Sequence, residues 1–91
     1  MFSLESFCGS LHGLTEGEVR ARCEERTTYF KGLDRAARYN GRRDPEHDYR
    51  GYYEAIERLE HYIFGSGKSA KLSEYEAKLF DEIIRRMKHN H

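Results

Sequence analysis

Apolar side chains recur along this chain about once per helical turn, and no stretch shows the sustained alternation of a half-buried strand. The pattern predicts four helices. A short one covers about 4–11, with Ser3 as its cap, Leu4, Phe7 and Leu11 on one face, and Gly13 just past its end. The second begins at Thr15. There Thr15 and Glu18 form a T-x-x-E capping box, in which each side chain satisfies an amide that the helix start leaves without a partner. It covers about 15–40, with Asn40-Gly41 as a left-handed stop, and Gly32 inside it is a place to weaken or bend. The third opens at Asp44-Pro45, a cap followed by proline at the first helical position, and covers about 45–64 before Gly65. Ser73 and Glu76 repeat the capping box and open the fourth, about 73–89. The expected fold class is all-α: a small helical bundle of three main helices plus a short N-terminal helix, with 1–91 as one helical domain.

The helical faces are unequal. In the third helix Tyr49, Tyr52, Ile56, Leu59 and Ile63 form a heptad-like seam, and Tyr53, Ala55, Tyr62 and Phe64 widen it past half the circumference. In the fourth, Tyr75, Leu79, Phe80, Ile83, Ile84 and Met87 cover an arc of about 180° at 100° per residue. A lone surface helix needs little more than about 100°. The fourth helix is therefore expected to touch two neighbours, both internal or one a second molecule. The second helix carries Val19, Cys23, Phe30, Leu33 and Ala37 on its stripe, with Arg26 in the middle. Glu76 likewise falls inside the fourth helix's arc. A buried unpaired charge is too costly to keep. Two solutions are open: Arg26 pairs with a carboxylate, Glu76 being the best placed, or it reaches water along its aliphatic stem.

Composition changes the picture in two ways. Of the 91 residues only 37% are hydrophobic and 35% are charged, so the core must be small, with seven Tyr and five Phe supplying much of it. Acidic residues stand four positions before basic ones at Glu18/Arg22, Asp34/Arg38, Glu46/Arg50, Glu54/Arg58, Glu74/Lys78, Asp81/Arg85 and Glu82/Arg86. That is the favourable orientation for helical ion pairs, each worth about 0.2–0.5 kcal/mol. Most of the charge thus reads as solvated helix surface. The net charge is zero, which speaks against a general nucleic-acid or anionic-membrane binder but leaves room for a local basic patch. The longest apolar run is Tyr62-Ile63-Phe64, too short to span a membrane, and the N-terminus, with Glu5, does not resemble a signal peptide. Cys8 and Cys23 make no disulfide framework and read as small buried residues. The default location is cytoplasmic.

Motifs that carry chemistry do not survive inspection. Gly65-Ser66-Gly67-Lys68-Ser69 looks like the end of a phosphate-binding loop, but Tyr62 stands where the first glycine belongs and a helix precedes it, so it reads as a linker. Glu57-Arg58-Leu59-Glu60-His61 misses the first histidine of an inverted zinc-peptidase motif, leaving Glu57 and His61 as a surface pair. Asp44, His47 and Asp48 suit a helix start without a metal. Cys8, His12 and Cys23 have no zinc-like spacing, and His89-Asn90-His91 is a chain end. No catalytic, cofactor or metal residues are assigned, and the expectation is a chain that is not an enzyme.

What remains is recognition. Arg35, Arg38, Tyr39, Arg42 and Arg43 form a basic and aromatic corner, while Tyr53, Tyr62, Phe80 and Ile84 are apolar positions expected to face a partner. The expected function is a helical protein-binding module. By analogy with small chains of phages and mobile elements, it would act as a regulator or inhibitor of a larger protein or complex. Self-association as a homodimer is its simplest form. The alternatives are nucleic-acid or nucleotide binding through the corner, against which Asp44, Glu46 and Asp48 weigh by repelling phosphate, and a structural subunit of a larger assembly.

Overall fold

The computed structural model describes residues 2–39, 41, 48–65 and 72–88. They form α1 (Leu4–Gly9), α2 (Glu16–Tyr39), α3 (Tyr49–Phe64) and α4 (Glu74–Arg86), the all-α bundle expected. Among the described residues no strand forms, and one isolated parallel bridge joins Thr15 to Lys88.

The helix starts follow local chemistry. Ser3 Oγ accepts the Ser6 amide at 3.2 Å. At α2 the Glu18 amide donates to Thr15 Oγ1 and the Thr15 amide to Glu18 Oε1, both at 3.2 Å. Ser73 and Glu76 close the same reciprocal box on α4. The cap of α3 is Asp48, whose Oδ1 accepts the Gly51 amide at 3.0 Å. A Cβ at Gly51 would come within 2.3 Å of that carboxylate, so glycine at this position lets the cap fold over. α3 therefore begins at Tyr49, four residues later than the start expected at Pro45, because Asp48 has non-helical backbone angles and supplies the cap; Asp44 and Pro45 themselves lie outside the described residues. Gly41 has φ +65°, the left-handed stop expected after α2, and α2 runs through Gly32 unbroken.

Two helix ends fall short of expectation for tertiary and local reasons. α1 stops at Gly9 because the Ser10, Leu11 and His12 amides turn to carbonyls three residues back, tightening the last turn. α4 stops at Arg86 because Met87 is extended. That turn allows the Lys88 amide to donate to Leu14 O at 2.8 Å, while the Gly13 amide, from a backbone at φ +77°, donates to Arg86 O at 3.1 Å.

α2 and α3 form an antiparallel pair, in which Arg20 lies over Phe64, Thr27 meets Glu60 and Phe30 meets Tyr52. α4 advances along α3 in the same sense, with Glu76 at Arg58 and Phe80 at Tyr62. α1 and the turn after it follow α4, from the Tyr75–Glu5 hydrogen bond to the Leu14–Lys88 bond. The core is one cluster drawn from these elements: Phe80, Leu11, Ile56, Leu59, Ile83, Val19, Cys8 and Cys23 are each less than 2% exposed. At one end of it Phe2, Phe7, Phe30, Tyr49 and Tyr52 form an aromatic tier with ring centres 5.1–6.2 Å apart.

This packing explains the wide apolar arcs from within. α3 is the central helix, touching α1, α2 and α4, and α4 packs against α1 and α3. Both neighbours required by α4 are internal, so its arc calls for no second molecule. The charges are arranged by the same geometry. Because α4 lies on α3 rather than α2, Glu76 takes Arg58 at 2.9 Å and not Arg26. Arg26 instead lays its guanidinium near Phe7 and Phe30, 5.9 and 5.8 Å from the ring centres, with its residue exposed. Of the expected helical pairs, Asp34–Arg38 and Glu82–Arg86 form. Glu54 takes Arg50 because Arg58 is occupied, Glu18 is held by its cap, and Asp81 accepts the Tyr62 hydroxyl. Glu46 lies outside the described residues.

Glu76 therefore serves both as the reciprocal half of the α4 cap and as the partner of a half-buried arginine. Glu76→Ala is expected to cost about 2 kcal/mol, combining a lost cap contact with a partly buried charge left unpaired. Urea titrations of the wild type and the variant check it; a loss below about 0.5 kcal/mol would mean that water replaces both contacts freely.

Candidate functional site

The positions expected to meet a partner do not form one patch. Phe80 is excluded outright: it is 0% exposed, because the side of α4 that carries it faces α3 and the core. Tyr62 is half-buried, packed against Phe80 and tied to Asp81 through its hydroxyl, a bond that pushes the phenol's pKa up. Tyr53 is half-buried with the Lys31 ammonium 5.4 Å from its ring centre. Ile84 stays 39% exposed on the edge of α4. Arg35, Arg38 and Tyr39 share the last turns of α2. There Arg38 bonds Asp34 at 3.2 Å, Arg35 is exposed, and Tyr39 is 91% exposed. Arg42 and Arg43 lie outside the described residues, as do positions 66–69 of the glycine-rich segment.

The outward side of α2 offers more than its C-terminal corner. Arg22, Arg26, Tyr29, Leu33 and Ala36 follow one another at spacings of four, three, four and three, a strip along one edge of the helix. Tyr29 is 58% exposed on it. Among the described residues neither Arg22, Arg26 nor Arg35 forms an ion pair within 4.0 Å, although the Glu18 carboxyl, lowered first by its Thr15 hydrogen bonds, also feels the Arg22 charge. Among the described residues the ion-paired cations are Lys31, Arg38, Arg50, Arg58, Arg85 and Arg86. Beside this strip, Phe7 and Ser10 on the α1 side and Arg22, Glu25 and Arg26 on α2 line a recess of about 80 Å³. Sequence reasoning noticed Arg26 only as an awkward charge. The repeat of Arg22, Arg26 and Tyr29 was the available signal, and it sits on the flank of the apolar stripe.

A larger cleft of about 290 Å³ opens between α2 and α3, lined by Arg20, Glu24, Glu57, Glu60, His61 and Phe64. Burial, then the neighbouring Glu24 carboxylate, push the Glu60 carboxyl above its usual range, against the pull of its Thr27 hydrogen bond. Glu57 is held by Lys31 at 3.5 Å. Among the described residues no group of three His, Cys, Asp or Glu is placed to hold a metal ion.

Cys8 and Cys23 are free thiols, 1% and 0% exposed. Burial, helped by Glu76 at Cys8 and by Glu60 at Cys23, pushes both thiols up to about 12. The thiolate is the nucleophile, so at neutral pH these groups are held in their unreactive form.

Fold and surface together define a small all-α bundle whose longest helix displays tyrosines and, among the described residues, arginines outside ion pairs. No helix among the described residues is long and apolar enough to cross a membrane. Comparison with family models, curated proteins and solved structures finds no match.

Proposed function

We propose that this chain is a non-enzymatic protein-binding module that acts on a larger protein or complex as a regulator or inhibitor. The observation that carries it is the outward side of α2. Tyr29 and Tyr39 are 58% and 91% exposed there, and the same helix carries Arg22, Arg26 and Arg35, none of which forms an ion pair within 4.0 Å among the described residues. Tyrosine and arginine give large contact area and directed hydrogen bonds at low entropic cost, and they dominate binding hot spots. Left in water, two exposed tyrosines on one helix contribute little to the fold. Nucleic acid uses the same residue types, but Glu18 and Glu25 are interleaved with these arginines and the net charge is zero, so a phosphate backbone would meet repulsion along the helix.

The test uses the tagged full chain to capture partners from an extract of the cells that make it, beside the Tyr29→Ala/Tyr39→Ala variant and a salt-dependent gel shift with mixed DNA and RNA. Because both tyrosines are exposed, the variant should keep its stability to within about 0.5 kcal/mol. A protein held by the wild type and lost by at least about tenfold in the variant is expected, the loss of one or two hot spots. Equal capture by both chains, or a gel shift with no protein captured, would reject the proposal.

A further inference from the structure

We infer that the recess between α1 and α2 receives an acidic side chain of the protein partner, with Arg22 and Arg26 as its receptors. This deepens the protein-binding proposal and rests on it. The recess, about 80 Å³, is lined by Phe7, Ser10, Arg22, Glu25 and Arg26. Phe7 is 8% exposed and Phe30 5%, so the rings against which Arg26 rests are fixed by the core. The Arg26 guanidinium carbon lies 5.9 and 5.8 Å from the Phe7 and Phe30 ring centres, and a guanidinium's planar fork of N–H groups matches the two oxygens of a carboxylate. Arg22 stands one turn before Arg26, and neither has a carboxylate within ion-pair distance among the described residues, although Glu18 and Glu25 are near in sequence. The Glu18 carboxylate takes its hydrogen bonds from the Thr15 cap, and the Arg22 charge acts on it only as a smaller attraction. The Ser10 hydroxyl donates to Phe7 O at 2.6 Å, so its proton is spent and the arginines are the recess's remaining charged donors.

The formal charge of the lining is +1, from Arg22 and Arg26 against Glu25. A carboxylate is attracted by that balance and fits the fork of Arg26. A partner's acidic residue would enter while its neighbours lie across Tyr29, which is exposed one turn further along the strip. The signs of three substitutions follow. Arg26→Gln and Arg22→Gln weaken binding, and Glu25→Gln strengthens it by removing the one like charge in the lining. A change that merely disturbed the helix would not give opposite signs at neighbouring exposed positions.

The experiment is an NMR titration of the full chain at pH 7, following the arginine Nε–H signals. The probe is a blocked peptide of glutamate and glycine, and its glutamine counterpart, inorganic phosphate and single-stranded DNA are separate arms. Saturable shifts at Arg22 and Arg26 with the glutamate peptide only are expected. The dissociation constant should rise about tenfold in Arg26→Gln, the loss of a charge-assisted hydrogen bond, and fall in Glu25→Gln. Backbone spectra of the variants check that they are folded. Shifts spread over Arg35, Arg38 and Arg85, equal shifts with the glutamine peptide, or tighter binding of phosphate or DNA would each overturn the inference. A negative titration alongside successful capture removes the acidic-side-chain assignment and leaves the module standing. A failed capture alongside a positive titration removes the module instead.

Discussion

Replacing Phe80 with alanine is expected to lower the unfolding free energy by about 3–5 kcal/mol. Phe80 is 0% exposed and is the largest of the fully buried side chains. It stands where α4 meets α3, with its ring 5.9 Å from that of Tyr62, and shares the core with Leu11, Ile56, Leu59 and Ile83. Truncation removes the transfer free energy of the ring and leaves a cavity that α4 can close only by moving. That movement is resisted at both ends of the helix, by the Arg58–Glu76 bridge near its start and by the hydrogen bonds of Gly13 and Lys88 after its end. A domain of this size has only about 5–10 kcal/mol in total, so the variant should sit near the edge of folding. Urea denaturation against the wild type measures it. Ile84→Ala is the matched control on the same helix, because Ile84 is 39% exposed, and it should cost about 1 kcal/mol or less. Comparable losses for the two variants would mean that α4 does not pack as described and would reopen Phe80 as a partner-facing residue.

Both cysteines are expected to resist alkylation in the folded chain by about a thousandfold relative to the unfolded chain. With their thiols pushed up to about 12 from an ordinary 9.0, the thiolate fraction at pH 8 falls from about one in ten to about one in ten thousand. Their exposures of 1% and 0% deny reagents an approach as well, so labelling should report opening of the core rather than direct attack. The same shifts make stability depend on pH. Above pH 9 the unfolded chain releases its thiol protons, while the folded chain keeps them until about 12. The unfolded state then binds fewer protons, so stability falls as pH rises through this window, with a slope of about 1.4 kcal/mol per pH unit for each thiol. The slope is about half its full size at pH 9, where the unfolded thiols are half ionised, and fades to nearly nothing by about pH 7. Tyr62 and Tyr75, whose phenols are raised by their hydrogen bonds to Asp81 and Glu5, act in the same direction. Thermal or urea midpoints at pH 8, 9 and 10, repeated with Cys8→Ser and Cys23→Ser, test the assignment. A stability that is level from pH 8 to 10, or rapid labelling at pH 8, would contradict the buried placement.

Helix caps and stops, which act within about four residues along the chain, are legible in the sequence, while only some of the ion pairs at that spacing are. The capping boxes at Thr15/Glu18 and Ser73/Glu76 form as read, and Gly41 takes the left-handed conformation that ends α2. Helical periodicity marks α1 to α4 and the faces they bury, because an amphipathic helix hides the same side whatever it packs against. The wide arc of α3 belongs to the helix that touches the other three, although the sequence left open whether that arc faced internal neighbours or a partner. Where the partner lies far along the chain, the pattern is silent. Glu76 falls inside the right arc, but whether Arg26 or Arg58 reaches it depends on which helix α4 lies against. Phe80 and Ile84 are four residues apart on one helix and both read as sticky, yet one is in the core and the other on the edge. The end of α4 is set by bonds to Gly13 and Leu14, more than seventy residues away along the chain.

By itself, then, the order of residues determined an all-α chain, most of its helix boundaries and the identity of its buried stripes, since these follow from backbone geometry and short-range hydrogen bonding. The tertiary structure alone decided the pairing of charges between helices, the internal use of both broad apolar arcs, and the arginine-lined recess beside Phe7. Those depend on how each helix is rotated and which neighbour it meets, and side-chain partners across helices are chosen by that rotation rather than by spacing along the chain.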